Sequence, residues 1–356
     1  MLTTLLFWGF LTANSQTSVT PYRAGITTEG ITYFLPATGI HITATAIRTI
    51  YTPGEYSRYA ERYLRLKDVA KHEYEVWTLS DIKLQLFGEA DSSRVYTIQL
   101  NAKTSAPLVG LAPDGRLLTI NTDAGILPPL PHSYVEAIED KTNLSVSTDF
   151  KSREVLSAGS KAKMAELTAA EIYDIRENRS LLAKGQADFM PKDGEQLRLM
   201  FESLDRQEQT LLQLFTGTQR SEKHVVTLSH VPSGETTDQV LFRFSRHLGF
   251  LEKDNLAGEP IFMSIKDLHS LPAAIEEPEN KKKKKVVEDL RYILPGKADI
   301  RLYTLEKEWL HQNILMSQFG RVEHLGGDLF NKRSNIHVTL SPENGGIIRI
   351  DDDAVE

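Results

Sequence analysis

Apolar and polar residues alternate along several stretches of the first half of the chain. This pattern, together with β-branched residues, is typical of strands that have one solvated face. The predicted strands are Ile31–Leu35, Ile40–Ala44, Tyr74–Leu79, Arg94–Leu100 and Leu117–Ile120. Pro113-Asp114-Gly115 predicts a turn before the last of these. Residues 16–150 are therefore expected to form an N-terminal β-rich domain.

Between residues 151 and 220 the spacing of the apolar residues changes from that of strands to that of helices. Thr168 and Glu171 have the spacing of a capping box, which predicts a helix start, and Gly185 predicts its end. A second helix is predicted to start at Asp193 and to end at Gly217. Its apolar residues recur at helical spacing: Leu197, Met200, Phe201, Leu204, Leu211, Leu214 and Phe215. The pattern predicts a helical hairpin.

Strands return after the hairpin, with a β segment at 221–275 and a C-terminal β-rich segment at 287–356. Between them, residues 276–286 combine three glutamates with the five lysines Lys281–Lys285. We interpret this segment as a solvated charged linker, and a basic docking patch is the alternative. The predicted fold class is α+β, with β-rich N- and C-terminal modules flanking a central helical hairpin.

Two short strings occur twice, in the same order, in the two β-rich modules. Tyr33-Phe34-Leu35-Pro36 resembles Tyr292-Ile293-Leu294-Pro295, and Leu111-Ala112-Pro113-Asp114-Gly115 resembles Leu340-Ser341-Pro342-Glu343 with Gly345. Duplication of one β-module explains both pairs. Because strands resemble one another, chance similarity is the alternative.

Composition and charge narrow the possible classes of protein. The 356 residues, 40% of them hydrophobic, are enough for about two domains. The net charge of −7 gives no basic face for nucleic acid. No later segment is apolar enough for a transmembrane anchor in the mature chain. The chain has no cysteine, which excludes thiol nucleophiles and thiolate metal sites.

The N-terminus predicts export. Residues 5–11 are apolar, and the small residues Ala13 and Ser15 resemble a signal-peptidase site, so residues 1–15 are interpreted as a Sec-type signal peptide. No lysine or arginine precedes the apolar run, which leaves the translation start open. A buried N-terminal strand is the alternative. The predicted location is the periplasm or the extracellular space.

No catalytic motif, metal-ligand pattern or cofactor fingerprint occurs in the sequence. Ser229 with His224 and His230 is the nearest approach to a serine–histidine arrangement, and ordinary strand histidines are the preferred interpretation. We therefore predict no catalytic residue, no metal site and no cofactor.

Two groups of residues are candidates for binding. Tyr56, Tyr59 and Tyr63, with Trp77, would form a sugar-stacking platform, and packing inside the protein is the alternative. Phe189 and Met190 place apolar side chains in the loop of the predicted hairpin, where they would contact a partner. The alternative is a loop folded back on the protein.

Several strings carry a resemblance to a known family. They are Pro53–Leu64, Glu73–Asp81 and the long run from Arg153 to Gly217. On these strings the chain resembles the secreted Bacteroidetes family filed as domain of unknown function 4831, over nearly all of the mature chain. The resemblance implies an exported envelope protein of a gut Bacteroidales bacterium, and it brings no activity and no catalytic residues.

The leading hypothesis is a non-enzymatic periplasmic or cell-envelope binding or scaffold protein with a protein or glycan partner. The first alternative is a hydrolase of envelope or dietary glycans or peptides, which requires a cleft where catalytic groups converge. The second is a structural subunit that forms oligomers through exposed strand edges.

Overall fold

The computed structural model describes residues 18–22, 30–99, 108–125, 127–138, 151–191, 193–273, 290–325 and 336–352. The strands are β1 (Ser18–Pro21), β2 (Ile31–Thr52), β3 (Tyr74–Gln99), β4 (Val109–Leu111), β5 (Leu117–Ile120), β6 (Tyr134–Ile138), β7 (Thr218–His230), β8 (Thr236–Ser245), β9 (Gly249–Leu251), β10 (Glu259–Asp267), β11 (Leu290–Tyr303), β12 (Glu308–Leu325), β13 (Ile336–Leu340) and β14 (Ile347–Asp352). The helices are α1 (Ala60–Leu64), which follows a 3₁₀ turn at Ser57–Tyr59, α2 (Arg153–Ser157), α3 (Lys161–Ala183) and α4 (Gly194–Thr216). The predicted α+β class, with β-rich parts on both sides of a helical region, is confirmed.

Within the described residues the strands form three antiparallel sheets. Sheet I has the order β1-β3-β2-β7-β6, sheet II the order β12-β11-β10-β8-β9, and sheet III the order β14-β13-β5-β4. Strand β7, which follows the helices, pairs with β2 along its whole length. The segments before and after the helices therefore share one sheet.

Sheets I and II pack face to face around the main hydrophobic core. Side chains from β2, such as Ile40 and Ile42, meet Met263 of β10 and Ile300 of β11, and all four are fully buried. Alternate residues of each strand point inward, as the two-residue period of a strand requires. A second core forms where the ends of these sheets meet sheet III, around Tyr33, Ile293 and Val338.

The two repeated strings occupy equivalent places in the structure. Tyr33–Pro36 lies in β2, which pairs with β3, and Tyr292–Pro295 lies in β11, which pairs with β12. Each string coincides with a register shift, between Phe34 and Pro36 in β2 and between Leu294 and Gly296 in β11. A proline lacks the N–H that a regular ladder needs, which explains an irregularity at this point.

The hydrogen bonds of the two repeats also correspond. The Phe34 amide donates to the Gly115 carbonyl (3.0 Å), and the Ile293 amide donates to the Gly345 carbonyl (3.2 Å). Both glycines have positive φ, 86° and 71°, which an L side chain adopts only with strain. The same strings thus make the same bonds in both β-modules, which favours duplication over chance similarity.

Buried polar groups connect the two repeats. The Thr38 amide donates to Ser317 Oγ (2.9 Å), and the Ser317 amide donates to Thr38 Oγ1 (3.0 Å). Both residues are fully buried. Arg116 of the first repeat donates to the carbonyl of Pro342 in the second. Because each buried group has a partner, the junction costs little in desolvation and is held in one geometry.

The helices pack on a third core, at the side of the protein where β2 ends. Tyr56 contacts Phe215 edge to face, with ring centroids 5.5 Å apart, and Ile172 of α3 completes the centre of this cluster. The predicted capping box was wrong. Helix α3 begins about two turns earlier, with Ser160 as its N-cap, and Thr168 is a buried interior residue whose hydroxyl donates to the Met164 carbonyl (2.9 Å).

Two predicted segments lie outside the described residues, namely the signal peptide at 1–15 and the charged linker at 276–286. Among the helices of the described part, none combines the length and the apolar character required to cross a membrane.

Candidate binding site

Helices α3 and α4 of the hairpin are joined by apolar packing and by ion pairs. At its base, apolar residues of α3 and α4 join the third core. Further along, ion pairs cross from one helix to the other: Arg176 to Glu208 at 2.6 Å and Arg179 to Asp205 at 2.5 Å. Such partly exposed pairs contribute little stability each, but they fix how the two helices face each other.

Both ends of the hairpin loop are fixed by ordinary capping. Gly185 follows α3 with φ of 68°, and the Gln186 amide donates to the Leu181 carbonyl (2.9 Å). At the start of α4, as predicted, Asp193 accepts a hydrogen bond from the Glu195 amide (3.0 Å). The loop is therefore attached to two well-formed helix ends.

The tip of the hairpin presents apolar side chains to solvent. Phe189 is 71% exposed and Met190 37% exposed. Next to them a groove of about 340 Å³ runs between the helices, with Leu182, Met200 and Leu204 in its walls. We call Phe189, Met190 and this groove the hairpin tip. Phe189 is exposed and is also one of the residues that line the groove, and its contact with a partner stays a prediction.

The row of aromatic residues predicted as a platform is divided between different environments. Tyr56 has no exposed surface, and Tyr59 and Tyr63 are half-buried neighbours, with ring centroids 6.2 Å apart, on the edge of the third core. Trp77 belongs to β3, where its indole donates to Glu75 Oε1 (2.7 Å) and its ring packs on His224. Helical spacing is the same for a core-facing and a solvent-facing row, and here Tyr56 faces the core.

Trp77 belongs to an ion-pair network at one end of the sandwich. Arg48 forms a two-pronged bond with Glu75 (2.8 and 2.9 Å) and reaches Glu222 (3.3 Å). Hydrogen bonds from Arg48 and Trp77 lower the pKa of Glu75. The Glu75 carboxylate therefore stays ionised, and Arg48 of β2, paired with Glu75 on β3 and with Glu222 on β7, connects three strands.

A serine–histidine contact does form, but with a histidine that the sequence did not single out. Ser229 Oγ lies 2.8 Å from Nδ1 of His41, which is 188 positions away in the chain. His41 is buried, with its ring stacked on Phe87 at 4.1 Å, and burial lowers its pKa. The pair lies on neighbouring strands β2 and β7, and local spacing gives no signal for such a contact.

A polar cleft of about 370 Å³ on the outer face of sheet II bears on the hydrolase alternative. Asp299 in this cleft uses both carboxylate oxygens, toward Arg301 (2.9 Å) and His311 (2.6 Å). Burial raises the pKa of Asp299, but hydrogen bonds from His311 and Arg301 outweigh it, so the pKa is lowered. The general acid of a glycosidase needs a raised pKa, so that it is protonated when it donates its proton.

Asp238, another of the carboxylates that line the cleft, is also engaged. Asp238 accepts hydrogen bonds from Tyr303 and from the Ser264 hydroxyl, and the bond to Asp238 raises the pKa of Tyr303. Among the described residues, no cluster of three or more histidines, aspartates and glutamates is placed to hold a metal ion.

Fold and site together define a class: an α+β protein with β-rich parts on both sides of a helical hairpin, whose loop carries exposed apolar side chains. The chain belongs to the family described as Domain of unknown function (DUF4831), whose model matches residues 29–348. No curated protein and no solved structure matches the chain.

Proposed function

We propose that the protein is a non-enzymatic binding protein of the cell envelope that captures a protein partner with its hairpin tip. The observation that carries the proposal is the exposure of Phe189 in an apolar groove, on a hairpin whose helices are joined by a core and by ion pairs. Exposed aromatic and methionine side chains are enriched in the centres of protein interfaces.

The tip offers both halves of an interlocking contact. The Phe189 ring is 71% exposed and would fill a pocket of the partner, and burial of such a side chain contributes about 1.5–3 kcal/mol. The groove beside it would receive one apolar side chain of the partner in return. Nearby charges such as Arg198 are already paired, with Glu195 and Glu202 at 2.5 Å, so the partner meets a rim of balanced charge.

Rigid presentation supports capture rather than catalysis. Because α3 and α4 are fixed before binding, little ordering entropy opposes the contact. The carboxylates whose pKa is shifted in the described residues, Glu75, Asp91, Glu222 and Asp299, are all shifted downward. These shifts suit ion pairs that hold strands together.

Export and a periplasmic or secreted location are part of the proposal. The apolar run Leu5–Leu11 and the small residues Ala13 and Ser15 support it. Mass spectrometry of the protein purified from its native cells should give an N-terminus at Gln16. An N-terminus at Met1 in a cytoplasmic fraction would contradict it.

Crosslinking in cells tests capture directly. The tagged protein is crosslinked, purified and compared with the double variant Phe189→Ser/Met190→Ser. Leu305→Ser is the matched control, because Leu305 is 84% exposed on the turn between β11 and β12. We expect one partner to be lost from the double variant and retained by the control. Equal recovery from all three proteins would refute the hairpin tip as the contact.

A second candidate, the structural oligomer, has one observation in its favour. All five residues of β6, the last strand of sheet I in the described part, are exposed, and Val135 is 62% exposed. Such an edge can pair with β6 of a second copy. Sedimentation over a hundredfold concentration range should then show dimers that Val135→Lys abolishes, and a monomer throughout would reject this candidate.

A further inference from the structure

We propose that a groove at the junction of the two repeats binds a small molecule with an apolar body and a cationic end. The groove has a volume of about 370 Å³ and lies apart from the hairpin tip. This volume falls in the range of pockets that hold small ligands. We call it the junction groove.

Parts of both repeats build the junction groove. Its floor is the β3 segment Gln85–Glu89, and its ends are the turn at Pro113–Arg116 of the first repeat and Pro342-Glu343 of the second. The segment Leu127–Leu130 covers one side. Because the groove exists only where the repeats meet, the duplicated architecture itself creates the site.

The walls are apolar and pre-formed. Phe87, Leu127 and Leu130 are among its apolar lining residues, together with prolines of both turns. The Phe87 ring lies flat on His41, and a side chain at Gly39 would overlap the ring, so the glycine makes room for this wall. A ligand therefore finds its apolar surface in place and does not need to order it.

The charges of the groove favour a cation. Three carboxylates, Glu89, Asp114 and Glu343, line it together with one cation, Arg116. Arg116 is paired with Asp114 at 2.6 Å and also donates to the Pro342 carbonyl. Glu89 is exposed and forms no ion pair with the rest of the described residues. A primary amine placed at this rim gains attraction from the surplus negative charge, and a carboxylate is repelled.

Three probes that share one apolar body test the proposal: 4-phenylbutylamine, 4-phenylbutanol and 4-phenylbutyrate. Calorimetric titration of the full chain should give one site per chain, with the amine bound about tenfold more tightly than the butyrate, a difference of about 1.4 kcal/mol. Glu89→Gln should weaken binding of the amine severalfold and leave binding of the alcohol unchanged. Leu130→Gln should weaken binding of all three probes. Phe189→Ser should leave the binding of all three unchanged.

The result that overturns the proposal is equal or stronger binding of the butyrate, loss of binding in Phe189→Ser, or no saturable binding of any probe. Circular dichroism verifies that Glu89→Gln and Leu130→Gln are folded, which both exposed positions permit. Probe binding and partner capture use different residues, so either proposal can fail without the other.

Discussion

Gly88 lies where the two repeats meet and leaves room for the contact between them, so its replacement by alanine should destabilise the whole protein. Gly88 lies in β3 opposite Thr38. An alanine Cβ would come closer than 3.0 Å to both the Pro342 carbonyl oxygen and the Arg116 guanidinium, which are hydrogen-bonded to each other. The carbonyl belongs to a turn fixed by the bond from the Gly345 amide to the Ser341 carbonyl (2.8 Å). The turn therefore cannot simply move away.

Two costs add at this position. Loss of a hydrogen bond from a charged donor costs about 1.5–3 kcal/mol. Overpacking of a well-packed contact costs about 1–3 kcal/mol. We therefore expect Gly88→Ala to lower the free energy of unfolding by about 4 kcal/mol.

Urea denaturation followed by circular dichroism measures this difference. Gly234→Ala is the matched control, because a Cβ at Gly234 meets no atom within 4 Å, and it should change the free energy of unfolding by less than about 0.5 kcal/mol. If Gly88→Ala is as stable as Gly234→Ala, the described junction between the repeats is wrong.

Three further predictions concern the other sites. Tyr56→Ala should lower the free energy of unfolding by about 3–5 kcal/mol, as for a buried aromatic residue, and Phe189→Ala by less than about 0.5 kcal/mol; similar values for both would contradict their assigned environments. Arg48→Met should lower the free energy of unfolding by about 1 kcal/mol at pH 7, a small value because Arg48 is partly exposed, and by less at pH 3.5. The reason is that the pKa of Glu75 is lowered in the folded protein, so its contribution is present above its ordinary pKa and is lost as the pH falls; a constant cost at both pH values would refute it. Because burial lowers the pKa of His41, the unfolded chain takes up a proton first as the pH falls below about 6.5, and stability should drop there. The drop should shrink in His41→Gln, and an unchanged pH profile in that variant would reject the assignment.

The sequence was most informative where local rules operate. Asp193 and Gly217 bound α4 as predicted, because a cap and a glycine with positive φ act within one turn of the chain. The repeated strings at Tyr33 and Tyr292 lie at corresponding register shifts, since each string contains a proline that disturbs its own ladder.

Contacts between distant residues could not be predicted in the same way. The pairing of Ser229 with His41, and of Arg116 with Pro342, depends on the order of strands, which no local pattern encodes. Thr168 had the sequence of a cap, but burial of its neighbours Ala165 and Ala169 extended the helix through it. Tyr56 showed helical spacing without showing which side of the helix faced the core.

The most direct test of the proposed function places a photo-crosslinking amino acid, p-benzoylphenylalanine, at position 189 in living cells. The same residue at position 305, which is also exposed and lies on the turn between β11 and β12, is the control. Capture at the hairpin tip predicts one adduct at position 189, absent at 305 and weakened when Met200→Glu places a charge in the groove. The same adducts at both positions, or none at position 189, would contradict it.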